Sequence, residues 1–192
     1  MTSMMIPVNP FSRPGKSLVR VAGVVFHWVN NAGTDAEFNV RWFKMLADQD
    51  PTDKVDDSFA STHYVIDREK TIQCVPEGEM CYHVGAWAYK PGIQKRLGAY
   101  PNANTIGIEL CHPDESGRFE PEVIEQAKKL SLGLAVKYNL EPMHDFYRHY
   151  DVTGKLCPKH WVGHAEEWEH FKRQVQIMKD EAFRRLDRGT VR

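Results

Sequence analysis

Nine histidines and four cysteines make metal chemistry the first possibility to weigh in this 192-residue chain. Imidazole nitrogen and cysteine thiolate are the usual ligands of a borderline-soft divalent ion, and three of them leave a fourth tetrahedral position for water. The familiar patterns are missing: there is no Cys-x-x-Cys, no His-Glu-x-x-His and no phosphate-binding glycine loop. His164 and His170 would fall about 240° apart around a helix, on different faces. His160 and His164 have helical spacing, but Gly163 intervenes directly after a Cys-Pro turn. The segment RHYDVTGKLCPKH over 148–160 differs, because it gathers His149, Asp151, Lys155 and Cys157 in a glycine-containing loop. A loop can aim several side chains at one point, which a strand or helix of that length cannot. Spacing alone leaves two readings open, a reactive or metal-binding loop and a polar connector. Asp151 is open in the same way, as a partner that orients His149 or as a turn residue.

Two further polar residues stand in apolar surroundings. His27 lies at the end of LVRVAGVVFHWV (18–29), a β-branched run that reads as a buried central strand. Glu109 interrupts NTIGIELCHP (104–113), a second such strand. An inward carboxylate is costly unless it has a partner or a task, the alternative being a strand face turned to solvent. Cys74, Cys81 and Cys111 read as small buried apolar residues. Trp28, Trp87 and Trp161 lie near these segments and are assigned no role.

These residues need a scaffold. Thr34-x-x-Glu37 resembles a capping box, with Phe38, Trp42 and Leu46 following at helical spacing, so a helix is expected over 35–48. The segments 62–67 and 71–76 flank an Arg-Glu-Lys turn and predict a β-hairpin. Pro121 suits the first turn of a helix that runs to the stop at 139–142. A last helix is expected over about 164–186, with Trp168, Phe171, Val175, Met178 and Ala182 on one stripe. Strands and helices mix without strict βαβ alternation, which predicts an α/β or α+β domain with one central sheet flanked by helices.

Composition narrows the function classes. At 42% hydrophobic and 27% charged residues the chain is ordinary for a globular domain, and roughly 70% of its unfolded surface can be buried. A net charge of -1 lacks the basic excess of a nucleic-acid binder, and no apolar run is long enough to span a bilayer. The unevenly spaced cysteines do not read as a disulfide framework. The first residues lack a secretory-signal pattern, so synthesis in the cytoplasm is expected.

Taken in order, His27 in VVFHWV, Tyr64 in THYVID, His83 in YHVGAW, Glu109 in IGIEL and the RHYDVTGKLCP block resemble the zinc-dependent N-acetylmuramoyl-L-alanine amidases. That family includes phage endolysins, bacterial autolysins and peptidoglycan-recognition proteins, and the resemblance covers about residues 20–175. It implies a single mixed sheet flanked by helices, in the peptidoglycan-recognition-protein-like amidase fold. It also implies one zinc ion held by His27, His149 and Cys157, with a general base at Glu109 and an oxyanion-stabilising Lys155. His83 corresponds to a histidine of the substrate cleft. One departure is Thr62, which stands where related phage enzymes carry a catalytic tyrosine and so shifts weight onto Glu109. Tyr64 is expected to be packed in the core.

The implied reaction is hydrolysis of the amide between N-acetylmuramic acid and the L-alanine of bacterial peptidoglycan. Two rivals remain at this point: a peptidoglycan-recognition module that binds without cleaving, and a cysteine hydrolase using Cys157 with His149. The expected organisation is an extended arm (1–17), a catalytic domain (18–186) and a short tail (187–192), without a separate wall-binding domain. A monomer is expected, with no nucleic-acid partner and no membrane insertion, acting on the wall after release from the cytoplasm.

Overall fold

The computed structural model describes residues 1–52 and 57–189. The loop expected around Pro51 to Ser58 lies partly outside these residues, as do positions 190–192 of the expected tail. Six strands form one sheet in the order β1-β4-β3-β5-β2-β6. They are β1 (Thr2–Ser3), β2 (Gly23–Trp28), β3 (Tyr64–Ile66), β4 (Thr71–Gln73), β5 (Thr105–Leu110) and β6 (Phe146–Arg148). The β3–β4 hairpin is antiparallel and every other pairing is parallel. The mixed sheet flanked by helices agrees with the expected fold class.

The centre is β2, paired on both sides, and its sequence GVVFHW explains why. A parallel strand covered on both faces needs apolar side chains throughout. Val24 and Phe26 point to one face and join Ile106, Ile108 and Leu110 of β5 beneath α3 (Pro121–Lys137) and α7 (Ala165–Gly189). Phe26 is the hub of that layer, with ring centroids of Phe146, Trp168 and Phe171 at 5.4, 5.3 and 5.3 Å. Val25 points to the other face, into a smaller cluster with Val84, Tyr147 and Val152. Alternation then sets His27 on the Val25 face. Register sets Glu109 directly beside it on β5.

The first helix, α1 (Ala36–Met45), is capped one residue later than expected. Asp35 accepts from the Phe38 amide at 2.7 Å, and Asp67, in the turn of the β3–β4 hairpin, accepts from the Ala36 amide at 2.8 Å. Its buried stripe is Ala36, Val40 and Phe43, whereas Phe38 and Trp42 are 52% and 41% exposed. The four-residue spacing identified a face of this helix but not the one that packs, because Asp67 pins the N-terminus and turns the competing stripe inward. The remaining helices are short: α2 (Ile93–Leu97), α4 (Pro142–Asp145), α5 (His149–Thr153) and α6 (Lys159–Gly163). The helix expected from 164 starts after a break at His164, which caps α6.

Residues 1–17 are bound to the domain. The edge strand β1 lies along β4, Ile6 and Phe11 are buried in the core, and the Arg13 guanidinium makes a two-pronged ion pair with Glu79 at 2.8 and 2.7 Å. All four cysteines are buried and free. Among the described residues no helix is long and apolar enough to cross a membrane.

Candidate metal centre

The three residues singled out as ligands come together at the carboxyl ends of the parallel strands, the usual place for a ligand site in an open α/β sheet. His27 is the fifth residue of β2. His149 is the first residue of α5, directly after β6. Its neighbour Arg148 is clamped by Asp151, with Nη2 to Oδ1 at 2.7 Å, and donates from Nη1 to the Trp161 carbonyl at 2.8 Å. Asp151 therefore caps α5 and holds Arg148. Gly154, at φ +88°, ends α5 in a left-handed turn that a side chain would strain. The chain then doubles back, and the Tyr150 amide donates to the Cys157 carbonyl at 2.9 Å. That closure carries Cys157 back beside His149.

The ligand atoms form a tight triangle. His27 Nδ1 lies 3.0 Å from His149 Nδ1 and 3.8 Å from Cys157 Sγ, and all three atoms lie within 4.8 Å of one another. With metal–nitrogen bonds of about 2.0–2.1 Å and metal–sulfur of about 2.3 Å, tetrahedral geometry sets ligand atoms roughly 3.3–3.6 Å apart. The observed separations bracket that range. All three residues are buried.

The protonation states leave the two imidazoles neutral, with nitrogen lone pairs able to ligate. Burial holds His27 well below the ordinary histidine range, helped by repulsion from His149, His83 and Lys155. Burial likewise takes His149 down to about 4, with Lys155 adding to it. Two neutral imidazoles cannot both aim lone pairs at each other at this distance unless a proton or a cation sits between them. Burial pushes the Cys157 thiol up, and Glu109 pushes it further; the Trp28 backbone amide and Lys155 act the other way. A bound divalent ion reverses that balance and deprotonates a coordinating thiol. The same burial argues against the cysteine-hydrolase rival, since a nucleophilic cysteine needs a lowered pKa.

Glu109 is the second unusual group. Its Oε2 is buried without a hydrogen-bond partner. Burial raises its carboxyl to about 8, opposed only by Lys155. Both side chains line the same cleft as the ligand triangle, a cavity of about 600 Å³. Lys155 is exposed at its rim.

His83 lines the same cleft and is also held from within the protein. It is nearly buried, with Nδ1 3.0 Å from His27 Nε2 and Nε2 3.2 Å from Thr105 Oγ1. Both ring nitrogens are thus engaged inside the protein. Thr62 is fully buried, and its hydroxyl has no partner. Tyr64 is buried in the core with its hydroxyl on Glu77. Of the tryptophans, Trp161 is core, Trp28 stacks on His112 with centroids 4.6 Å apart, and Trp87 is fully exposed.

A wall of Trp42, Phe59, Tyr82 and Tyr100 along the cleft was not foreseen. Trp42 belongs to the helical spacing that predicts α1, which by itself says nothing of a cleft. The other three sit in segments without periodicity, so only the tertiary fold brings them together.

The class defined by this fold and site is a single-sheet α/β domain with two imidazoles, one thiol and a buried carboxylate at the strand ends. Residues 17–160 match the family model for N-acetylmuramoyl-L-alanine amidase, and the chain belongs to that family. It is similar to N-acetylmuramoyl-L-alanine amidase BlyA of Bacillus subtilis (strain 168), 32% identical over 187 residues, covering 91% of this chain and 46% of that protein. A probable N-acetylmuramoyl-L-alanine amidase of Bacillus licheniformis is 33% identical over 175 residues, covering 90% and 46%. The chain therefore spans less than half the length of these relatives.

Among solved structures it shares its fold with the PlyG catalytic domain, at a TM-score of 0.69 and 18% identity over 93% of this chain and 94% of that one. The catalytic domain of XlyA gives a TM-score of 0.67 and 22% identity over 91% and 97%.

Proposed function

We propose that this domain is a peptidoglycan amidase that hydrolyses the bond between the lactyl carbonyl of N-acetylmuramic acid and the amine of L-alanine, with zinc held by His27, His149 and Cys157. The observation that carries this reading is the buried, unpartnered Glu109 carboxyl sharing one cleft with the ligand triangle. When bound, such an ion supplies Lewis acidity and a more acidic water. The chain's own residues account for the rest of the chemistry. With a cation in the ligand triangle, which would draw its carboxyl down from about 8 in the metal-free protein, Glu109 accepts the proton of the attacking water. It then returns that proton to the leaving alanine nitrogen, a task that suits a carboxyl near neutrality. Lys155 brings positive charge to the cleft where the carbonyl oxygen becomes anionic. The aromatic wall offers flat apolar surface to a sugar or a stem peptide.

The test is the chemistry of the products. Digestion of purified peptidoglycan followed by mass spectrometry should release intact stem peptides with a free L-alanine amine and leave uncut glycan strands. Protein that sediments with the wall material and releases nothing would make this a recognition module instead. Release of muropeptides cut within the glycan would contradict the assigned bond.

A further inference from the structure

We propose that His83 is the positioning residue of the metal centre, fixing the tautomer and the ring plane of His27 through a hydrogen-bond relay that ends on the backbone of Pro101. The inference rests on the metal-site reading above, but its geometry is independent of substrate.

The direction of the relay follows from its far end. A proline carbonyl can only accept, and Thr105 Oγ1 lies 2.8 Å from the Pro101 oxygen, so the threonine hydroxyl donates there. That leaves the Thr105 oxygen as an acceptor, and His83 Nε2, at 3.2 Å, carries the proton it receives. A neutral His83 then presents a bare Nδ1, so His27 donates from Nε2 across 3.0 Å. The lone pair of His27 is thereby confined to Nδ1, the atom that faces His149 and Cys157. Metal-binding histidines usually give their second N–H to a carboxylate, a carbonyl or water. Here a second histidine takes that place, at right angles to the first with ring centroids 5.2 Å apart.

Two further observations show that the fold is shaped around the His83 ring. Gly107 lies inside β5, where a glycine weakens a strand unless something approaches closely. A Cβ at that position would sit 2.7 Å from His83 Cγ and 2.9 Å from His83 Nδ1, so the missing side chain is the space the ring occupies. Asn102 Oδ1 accepts from the amides of both His83 and Val84, at 3.1 and 2.8 Å. The segment 101–105 thus grips the backbone of His83 at one point and its ring at another. His83 borders the cleft, but both its ring nitrogens are taken up by His27 and Thr105, so the relay acts on turnover through His27.

The decisive experiment uses nitrogen-15 NMR on the full chain freed of metal by chelation, together with zinc titration against a chromophoric chelator. In the wild type, His27 should carry its proton on Nε2 before any metal is added. His83→Leu fills the volume but removes the acceptor, and should weaken zinc binding about 10–100-fold and mix the His27 tautomers. His83→Asn keeps an acceptor near the Nδ1 position and should restore zinc affinity to within about threefold. Thr105→Val, which is nearly isosteric, should loosen zinc in the same direction as His83→Leu and guards against misfolding of that variant.

A wild-type His27 protonated on Nδ1 would overturn the relay. So would a folded His83→Leu or Thr105→Val protein that binds zinc as tightly as wild type with an unchanged tautomer. Because the tautomer is read without metal or substrate, its failure is distinguishable from a failure of the amidase reading.

Discussion

Replacing Glu109 with glutamine separates what the fold wants from what the chemistry needs. In the metal-free protein the Glu109 carboxyl is held at about 8 against an ordinary 4.5, through burial. Between those values the unfolded chain is ionised at this residue while the folded chain stays protonated. The folded state thus binds the extra proton, and stability falls as pH rises from about 4.5 to 8. At about 1.36 kcal/mol per pH unit that gap is worth about 5 kcal/mol at most. One edge of the side chain reaches the cleft and its water, so about half of that, 2–3 kcal/mol, is the expected effect. Glutamine does not titrate and escapes it.

Urea unfolding of chelated wild type and Glu109→Gln from pH 5 to pH 9 should therefore show the variant gaining on the wild type as pH rises, then levelling above about 8. The same variant should keep its zinc and lose turnover on peptidoglycan. A stability difference that stays flat across this range would refute the reasoning. A Glu109→Gln enzyme with near-normal turnover would remove Glu109 from the mechanism.

Cys157→Ser should weaken zinc binding by more than about 100-fold, since a lost ligand costs more than a lost outer partner; metal analysis after dialysis reads it directly. Lys155→Met should lower kcat about 100-fold while leaving zinc content intact, as expected for removing charge from the site of a developing oxyanion. Equal kcat in the variant would return Lys155 to the role of a solvated rim residue. Phe26→Ala empties the hub of the aromatic layer and should destabilise the protein by about 3–5 kcal/mol in urea. A loss below about 1 kcal/mol would mean that the layer does not depend on that ring.

The strands that carry the site were legible because they are mostly apolar runs rich in β-branched residues. LVRVAGVVFHWV and NTIGIELCHP read as buried strands, which set Glu109 apart as a costly carboxylate and placed His27 at a strand end. The loop 148–160 was legible only through its order relative to the other blocks; its spacing fitted a polar connector equally well. The face of α1 was not legible, because Phe38-Trp42-Leu46 and Ala36-Val40-Phe43 are both helical stripes. The choice between them rests on Asp67, distant in sequence, which reaches the Ala36 amide.

The surroundings of His83 depend on three segments meeting, at 27, 83 and 101–105, and no local pattern encodes that. One signal is present in the sequence: Gly107, a glycine in the middle of a strand, marks the place where another side chain presses against the sheet.

The central claim is that one metal ion at the His27–His149–Cys157 triangle makes this domain an amidase. The most direct measurement titrates zinc into chelated protein while recording bound metal and the appearance of new L-alanine amines from peptidoglycan. The account predicts that activity is absent at the start and rises in proportion to bound zinc until one ion per chain is held. Full activity in the chelated protein, or zinc bound at one per chain with no amine released, would contradict it.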